Sequence, residues 1–173
     1  MRNVEVKAII KDLDYINKRI EEMKLGEPRI INQHDIFYKI PQGRLKMRKF
    51  EDNSGELIYY ERSDIEGPKL SSYNKATISS SSLEDLSTVL KRALGSQGEV
   101  KKTRRLYMLD QTRIHIDYVE DLGDYMELEV VLLPNQSIED GEEIASSIMK
   151  QLNIGKEDFI ASAYVDLLLS NKK

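Results

Sequence analysis

Cysteine is absent from the 173 residues of the chain. Disulfide bonds, cysteine-ligated metal sites and thiol nucleophiles are therefore excluded. Long apolar runs are absent too, since no stretch approaches the roughly 20 residues that a membrane-spanning helix needs. No apolar leader precedes the first charged segment. We therefore expect a cytoplasmic protein that does not contact a membrane.

The sequence also lacks the glycine-rich loops that usually bind phosphate. It contains neither a P-loop nor the glycine pattern of a dinucleotide-binding turn, and no kinase motif set is present. The net charge of −4 at pH 7 argues against general binding to duplex nucleic acid, because such binding requires a broadly basic protein surface. A polyanionic ligand is therefore expected to be small and to bind to side chains concentrated in one place.

The remaining composition is that of a globular protein, with 40% hydrophobic and 32% charged residues. The length fits one domain that buries a sizeable core. We predict a single domain over residues 1–173. Monomer and homodimer both remain open.

The most informative pattern is a strict alternation of charged and apolar residues. Arg113, His115 and Asp117 alternate with isoleucines, and Glu127 and Glu129 alternate with Met, Leu and Val. A period of two is the signature of a β-strand, in which alternate side chains share one face. The same alternation occurs in three further segments, at residues 3–7, 44–48 and 102–104.

The polar face of these strands is almost entirely ionisable. Its cations are Lys7, Arg44, Lys46, Arg48, Arg62, Lys102, Arg104 and Arg113, and its carboxylates are Glu5, Asp117, Glu127 and Glu129. In a closed barrel these side chains would meet in the lumen, where a polyphosphate would bind the cations and a divalent metal ion the carboxylates. A solvated sheet face is the alternative interpretation.

Strand patterns occur in about eight segments. They cover residues 3–10, 30–40, 44–50, 56–63, 73–78, 100–109, 112–119 and 124–133. Eight strands give a barrel whose interior just accommodates side chains or one small ligand. Most connections are short turns, which favour antiparallel neighbours.

Four segments carry helical patterns. They are residues 12–25 with Asp12 as the N-cap, 82–94 with Ser82 as the N-cap, 138–152 and 156–170. Each has an apolar stripe that must pack on an apolar surface, and the outer strand faces supply one. We therefore predict an α+β fold, a closed antiparallel barrel of about eight strands with helices packed outside and charges inside.

A series of short motifs follows the same order as in a known family. Val-Glu-Val-Lys at residues 4–7 is similar to an opening Glu-x-Glu-x-Lys signature, and Gly-Arg-Leu-Lys-x-Arg occurs at 43–48. Further motifs lie at residues 33–38, 57–62, 102–104, 113–117, 122–123, 127–129 and 162–168. The chain thereby resembles the CYTH superfamily, or triphosphate tunnel metalloenzymes. It is most similar to the class IV adenylyl cyclase-like and thiamine triphosphatase-like branch.

The resemblance implies a set of site residues. Mg2+ or Mn2+ would be held by Glu5, Asp117, Glu127 and Glu129. The catalytic set would comprise Glu5, Lys7, Asp117 and Glu129. Substrate phosphates would be bound by Lys7, Arg44, Lys46, Arg48, Arg62, Lys102, Arg104 and Arg113. For His115 we expect hydrogen-bonding support rather than direct chemistry.

The activity that the resemblance implies is divalent-metal-dependent hydrolysis of inorganic, organic or nucleoside triphosphates. One alternative is a class IV nucleotidyl cyclase that releases cyclic nucleotide and pyrophosphate. Another is an RNA-directed phosphohydrolase or nuclease, or a non-catalytic module that binds polyphosphate or RNA ends. One departure from the family pattern motivates it: Asn3 stands where the first signature Glu is expected, and a neutral amide is a weaker metal ligand than a carboxylate.

Overall fold

Eight antiparallel strands close into a barrel in the computed structural model, which describes residues 2–171 apart from the side chain of Arg62. The strands are β1 (Arg2–Ile9), β2 (Arg29–Tyr38), β3 (Arg44–Lys49), β4 (Gly55–Arg62), β5 (Lys69–Ile78), β6 (Ser96–Leu109), β7 (Thr112–Val119) and β8 (Gly123–Val131). Their order around the barrel is β1-β5-β4-β3-β2-β6-β7-β8, and β8 pairs with β1 to close it. The predicted fold is confirmed.

Helices connect and cover the strands. They are α1 (Leu13–Glu22), α2 (Ser80–Leu94), α3 (Ile138–Gln151) and α4 (Tyr164–Asn171), with a 3-10 turn at Lys156–Asp158. Asp12 caps α1 as predicted, because its carboxylate accepts a hydrogen bond from the Tyr15 amide. None of these helices is both long and apolar enough to cross a membrane.

Two helix predictions are wrong. The segment predicted as one helix over residues 156–170 contains only the 3-10 turn and the short α4. Between them the chain runs beside β1, where Phe159 bridges Ala8 and the Ile160 amide donates to the Lys7 carbonyl. Pairing with the barrel thus replaces helical hydrogen bonds. The cap of α2 is Ser79 rather than Ser82, because the helix starts directly after β5 ends at Ile78.

Two strands begin four residues earlier than predicted. β5 starts at Lys69, which pairs with Glu5, and β6 starts at Ser96, which pairs with Tyr38. The added residues of β6, Ser-Gln-Gly-Glu, have low strand propensity. Pairing with a neighbouring strand orders them, and such pairing cannot be deduced from a local pattern.

The helices lie on the outer face of the barrel. Val4, Val6 and Ala8 of β1 are fully buried there, in the cluster that also contains Ile148 and Leu152 from α3 and its end. Helix α3 approaches closely, because a Cβ added at Gly141 would lie 2.6 Å from a Val4 methyl group. With the apolar face covered from outside, the alternate charged side chains of the strands point into the lumen.

Candidate active site in the barrel lumen

The lumen contains a cavity of about 290 Å³ to which all eight strands contribute side chains. Among the described residues its wall carries seven cations, Lys7, Lys46, Arg48, Lys75, Lys102, Arg104 and Arg113. Five acids line it as well: Glu5, Asp35, Glu56, Glu127 and Glu129. A strongly charged cavity of this kind suits a small ionic ligand.

Strand register brings the predicted acids together. Glu5 on β1 lies opposite Glu129 on β8, which lies opposite Arg113 on β7. In the next row of inward-facing residues, Glu127 lies between Lys7 and His115. These two rows place acids from β1 and β8 beside each other on one side of the cavity.

His115, Glu127 and Glu129 form a cluster that suits a divalent metal ion. Each offers a ligand atom, and these atoms lie within 4.8 Å of one another. Carboxylate oxygens and imidazole nitrogens are common ligands of divalent metals in proteins. The donor set therefore fits the ion that the family resemblance implies.

Glu129 is held by the residues around it. Its Oε2 accepts a hydrogen bond of 3.1 Å from Arg113, and its Oε1 lies 3.8 Å from His115 Nδ1. Burial and the charge of Glu127 would raise the pKa of Glu129. The positive charges of His115, which is protonated in the acidic range, and of Arg104 and Arg113 hold this pKa below its ordinary value. The carboxylate is therefore charged at neutral pH.

His115, for which we expected hydrogen-bonding support, lies in the wall of the cavity. Its side chain is almost fully buried, at 3% residue exposure, and its Nδ1 has no hydrogen-bond partner among the described residues. Burial, followed by the charge of Arg104, lowers the pKa of His115 to about 4. The imidazole is consequently neutral at pH 7 and able to offer a lone pair.

Asp117 lies behind the cavity wall instead of on it. It is fully buried, and its Oδ1 and Oδ2 accept hydrogen bonds of 2.7 and 2.6 Å from Arg104. Oδ2 also accepts a 2.9 Å hydrogen bond from the Tyr164 hydroxyl. Burial would raise its pKa, yet Arg104 brings it to about 2. The structure does not bring Asp117 together with the other predicted metal ligands, so we assign it the role of orienting Arg104.

Arg104 lines the cavity, as the prediction of a phosphate-binding role requires, but it is already paired. Besides the two hydrogen bonds to Asp117, its Nη2 donates to Glu127 Oε2 at 2.9 Å. The guanidinium therefore connects the buried Asp117 to a predicted metal ligand. This hydrogen bond helps to fix the position of the Glu127 carboxylate.

Asp35 is a site residue that was not predicted from the sequence. Arg48 donates to it through Nε at 2.7 Å and Nη2 at 2.8 Å, Lys46 through Nζ at 2.8 Å, and Lys102 Nζ lies 3.7 Å away. A signal was available, since Asp35 alternates with Gln33 and Phe37 along β2, as inward-facing residues do.

The cations around Asp35 outnumber the acid that neutralises them. Burial and then the charge of Arg104 lower the pKa of Lys102 well below its ordinary value, even though Asp35 opposes the shift. Burial and Arg48 likewise lower the pKa of Lys46. A cluster with more cations than anions in a buried place favours binding of an added anion.

The start of α4 closes one side of the cavity. Ala163 and Tyr164 belong to its wall, and Lys7 Nζ lies 3.9 Å from the centre of the Tyr164 ring. Lys7 Nζ is also 4.0 Å from Glu127 Oε1. The motif at residues 162–168 was part of the family resemblance, but none of its side chains was predicted to belong to the site.

Two predicted or discussed positions, Arg44 and Asn3, lie apart from this arrangement. Arg44 is not part of the cavity wall, and it forms ion pairs with Asp64 at 2.9 Å and Asp166 at 3.0 Å. The side chain of Arg62 lies outside the described residues. Asn3 is buried at 1% exposure, its amide oxygen has no hydrogen-bond partner in the described part of the chain, and it does not line the cavity.

Comparison with known proteins gives the same fold and a family. A Methanocaldococcus jannaschii protein whose name proposes an adenylate cyclase is 25% identical, over 96% of this chain and 98% of its own. The PH1012 structure from Pyrococcus horikoshii has a TM-score of 0.85 at 24% identity, covering 95% of this chain and 98% of that one. The HpAC1 structure from Hippeastrum has a TM-score of 0.71 at 12% identity, covering 98% of this chain and 96% of that one. Its description names a proposed adenylyl cyclase that reveals a dominant triphosphatase activity. The family model for the CYTH domain matches residues 1–164. The chain belongs to the CYTH domain family.

Proposed function

We propose that this protein hydrolyses a triphosphate compound with the help of a divalent metal ion. The observation that carries the proposal is that one lumen holds both a group of acids, Glu5, Glu127 and Glu129, and a group of three basic side chains gathered around the single carboxylate of Asp35. The acidic group suits a divalent cation and the basic group suits phosphate oxygens. Both are needed to bind a metal-complexed polyphosphate.

Each basic group has a distinct part in binding. Arg48 is held rigidly by Asp35, so that the rest of its guanidinium is presented in a fixed orientation. Lys46 and Lys102 place point charges beside it. Together these three side chains neutralise a phosphate chain that already carries several negative charges.

The acidic side would hold Mg2+ or Mn2+ on Glu127 and Glu129, with Glu5 facing them across the β1–β8 pair. A bound divalent ion polarises phosphoryl oxygens and lowers the pKa of water. In the hydrolysis, the oxygen of a water molecule forms the new bond to phosphorus, and the bond to the bridging oxygen breaks. Glu5 accepts the proton of the water, and Lys7 stabilises the charge on the leaving oxygen.

The size of the cavity favours a compact substrate. Its volume of about 290 Å³ lies near the lower end of the roughly 300–1,000 Å³ of small-molecule sites. Inorganic triphosphate fits such a space, and the organic part of a larger substrate would extend towards the mouth. Phe37, Ile58, Tyr60 and Tyr73 on the wall offer apolar contacts to such a group.

A nucleotidyl cyclase is the second candidate. It is favoured by the adenylate cyclase name of the M. jannaschii relative, which spans nearly the same length. In that reaction the ribose 3′-hydroxyl takes the place of water and pyrophosphate leaves. The same cations and acids would serve both reactions.

The test is to incubate the purified protein with Mg2+ or Mn2+ and, separately, inorganic triphosphate, thiamine triphosphate, ATP and triphosphate-ended RNA. Release of orthophosphate supports the hydrolase, and the substrate that releases it fastest identifies the class. Cyclic nucleotide with pyrophosphate would replace the hydrolase by the cyclase. Binding without turnover would leave a polyphosphate-binding module, and the absence of both would overturn the proposal.

A further inference from the structure

We propose that His115 is a direct metal ligand through Nδ1, and that this nitrogen makes the site bind Mn2+ in preference to Mg2+. The inference rests on the metal site of the proposed function and adds a ligand that the acidic residues of the sequence pattern do not include. It also commits to a class of ion, a first-row transition metal.

One nitrogen of the His115 ring has an unsatisfied hydrogen-bonding capacity. His115 Nδ1 faces a cavity-lining carboxylate, is buried, and has no hydrogen-bond partner among the residues the structure describes. Leaving a buried polar atom without a partner is energetically unfavourable. A ligand in the cavity would remove that penalty.

The distance between His115 and Glu129 also suits a shared metal ion. His115 Nδ1 and Glu129 Oε1 are 3.8 Å apart, too far for a hydrogen bond. Two ligand atoms that each lie about 2.1 Å from one ion are separated by up to about 4.2 Å. The pair is therefore at a separation that one ion can bridge. Glu127 belongs to the same cluster, in which one ligand atom of each of the three residues lies within 4.8 Å of the others.

Arginine side chains orient both carboxylates by hydrogen bonds. Glu129 Oε2 accepts from Arg113, and Glu127 Oε2 accepts from Arg104. Hydrogen bonds to one oxygen of a carboxylate orient the other oxygen, as is usual for metal-ligating acids. For Glu129 that other oxygen is the one nearest to His115 Nδ1.

The choice of metal follows from the nitrogen. Mg2+ takes oxygen ligands in a nearly ideal octahedron, whereas imidazole is a common ligand of first-row transition metals. Two carboxylates and one imidazole give a mixed oxygen and nitrogen set. Among ions that also accept carboxylates readily, Mn2+ gains more from the nitrogen than Mg2+ does.

The experiment uses the electron spin of bound Mn2+ in the full-length protein. We expect the spin echo of the bound ion to be modulated by a coordinated imidazole nitrogen, and the modulation to change when histidine is labelled with the heavier nitrogen isotope. The chain has only two histidines, His34 and His115. His34 forms a hydrogen bond with Glu99 and lies outside the cavity. His34→Ala is therefore the control, and we expect it to retain the nitrogen modulation.

Titrations supply the second measurement. His115→Gln is expected to raise the Kd for Mn2+ by about tenfold or more, with a much smaller change for Mg2+, so that the preference for Mn2+ is lost. His34→Ala leaves both affinities unchanged. Thermal unfolding of each variant shows whether it is folded, and the isotope measurement on the parent protein needs no variant.

Two results would overturn the inference: bound Mn2+ without nitrogen modulation in the parent protein, or an unchanged Mn2+ preference in folded His115→Gln. If triphosphate turnover persists in either case, the proposed function stands and only the role of His115 fails. Conversely, nitrogen modulation in a protein that turns over none of the triphosphates would support His115 as a ligand and reject the hydrolase.

Discussion

Arg48 and Asp35 are joined across the β2–β3 pair by two hydrogen bonds of 2.7 and 2.8 Å. This pairing fixes the guanidinium, and the same carboxylate draws Lys46 and Lys102 towards it. Asp35 thus gathers three cations in one part of the lumen without neutralising them all. In the proposed function, an incoming phosphate chain would complete the charge balance.

The first prediction concerns acid stability. Burial would raise the pKa of Asp35, but Arg48, Lys46 and Lys102 hold it well below its ordinary value. A depressed folded-state pKa stabilises the fold above the unfolded-state value of about 3.9, and this stabilisation is lost as the pH falls below that value. The free energy of unfolding should therefore differ most between the parent and Asp35→Asn above about pH 5, and the difference should shrink as the pH falls to about 3.

Denaturant titrations at several pH values measure this difference. Asp121→Asn is the control, because Asp121 is exposed in a turn with a left-handed backbone that Asn also tolerates. Its effect should be small at each pH. A difference for Asp35→Asn that does not change between pH 6 and pH 3 would contradict the assigned ion cluster.

The second prediction concerns phosphate binding by β3. Lys46→Met removes a cation from the lumen, and a charged hydrogen bond to phosphate is worth about 1.5–3 kcal/mol. The Kd for inorganic triphosphate should therefore rise about ten- to a hundredfold. Isothermal titration calorimetry measures this Kd. Lys49→Met is the matched control, since Lys49 lies on the same strand but bonds to Glu84 outside the lumen. Equal effects of the two substitutions would show that Lys46 does not bind substrate.

The third prediction concerns the acidic cluster. Glu129→Gln keeps the shape of the side chain but removes a negative charge beside His115 and Glu127. Metal-dependent turnover should fall to background while the melting temperature changes little, because the carboxylate lines a cavity. Orthophosphate release and thermal unfolding are the measurements. Glu143→Gln on the exposed side of α3 is the control. Full activity of Glu129→Gln would remove this carboxylate from the proposed site.

The fourth prediction separates structural from binding cations on β6. Arg104→Ala leaves the fully buried Asp117 without its ion-pair partner, and breaking a buried pair in this way costs about 3–5 kcal/mol. The free energy of unfolding in urea should fall by that amount. Arg105→Ala, at the neighbouring position and bonded to Asn17 outside the lumen, should change it by no more than about 1 kcal/mol. Similar values for the two variants would contradict the structural role given to Arg104.

Much of the candidate site could be predicted from periodicity. Lys7, Lys46, Arg48, Lys102, Arg104 and Arg113 were all expected on the lumen face, and all of them line the cavity. Alternation decides which face of a strand a side chain occupies, and it is a local property. It does not decide how far along the barrel axis a residue lies, and Arg44 shares the alternation of β3 yet pairs with acids away from the cavity.

The sequence by itself determined the strands, the apolar stripes of the helices and therefore the closed barrel with charges inside, because these depend on spacing along the chain. Only the tertiary structure decided which charges meet. Register across β6 and β7 sets Arg104 opposite Asp117, so that this acid orients an arginine, and register across β2 and β3 sets Asp35 opposite Arg48. Register arises from contacts between segments that are distant in sequence, and a shift by one residue would turn every side chain of a strand to the other face.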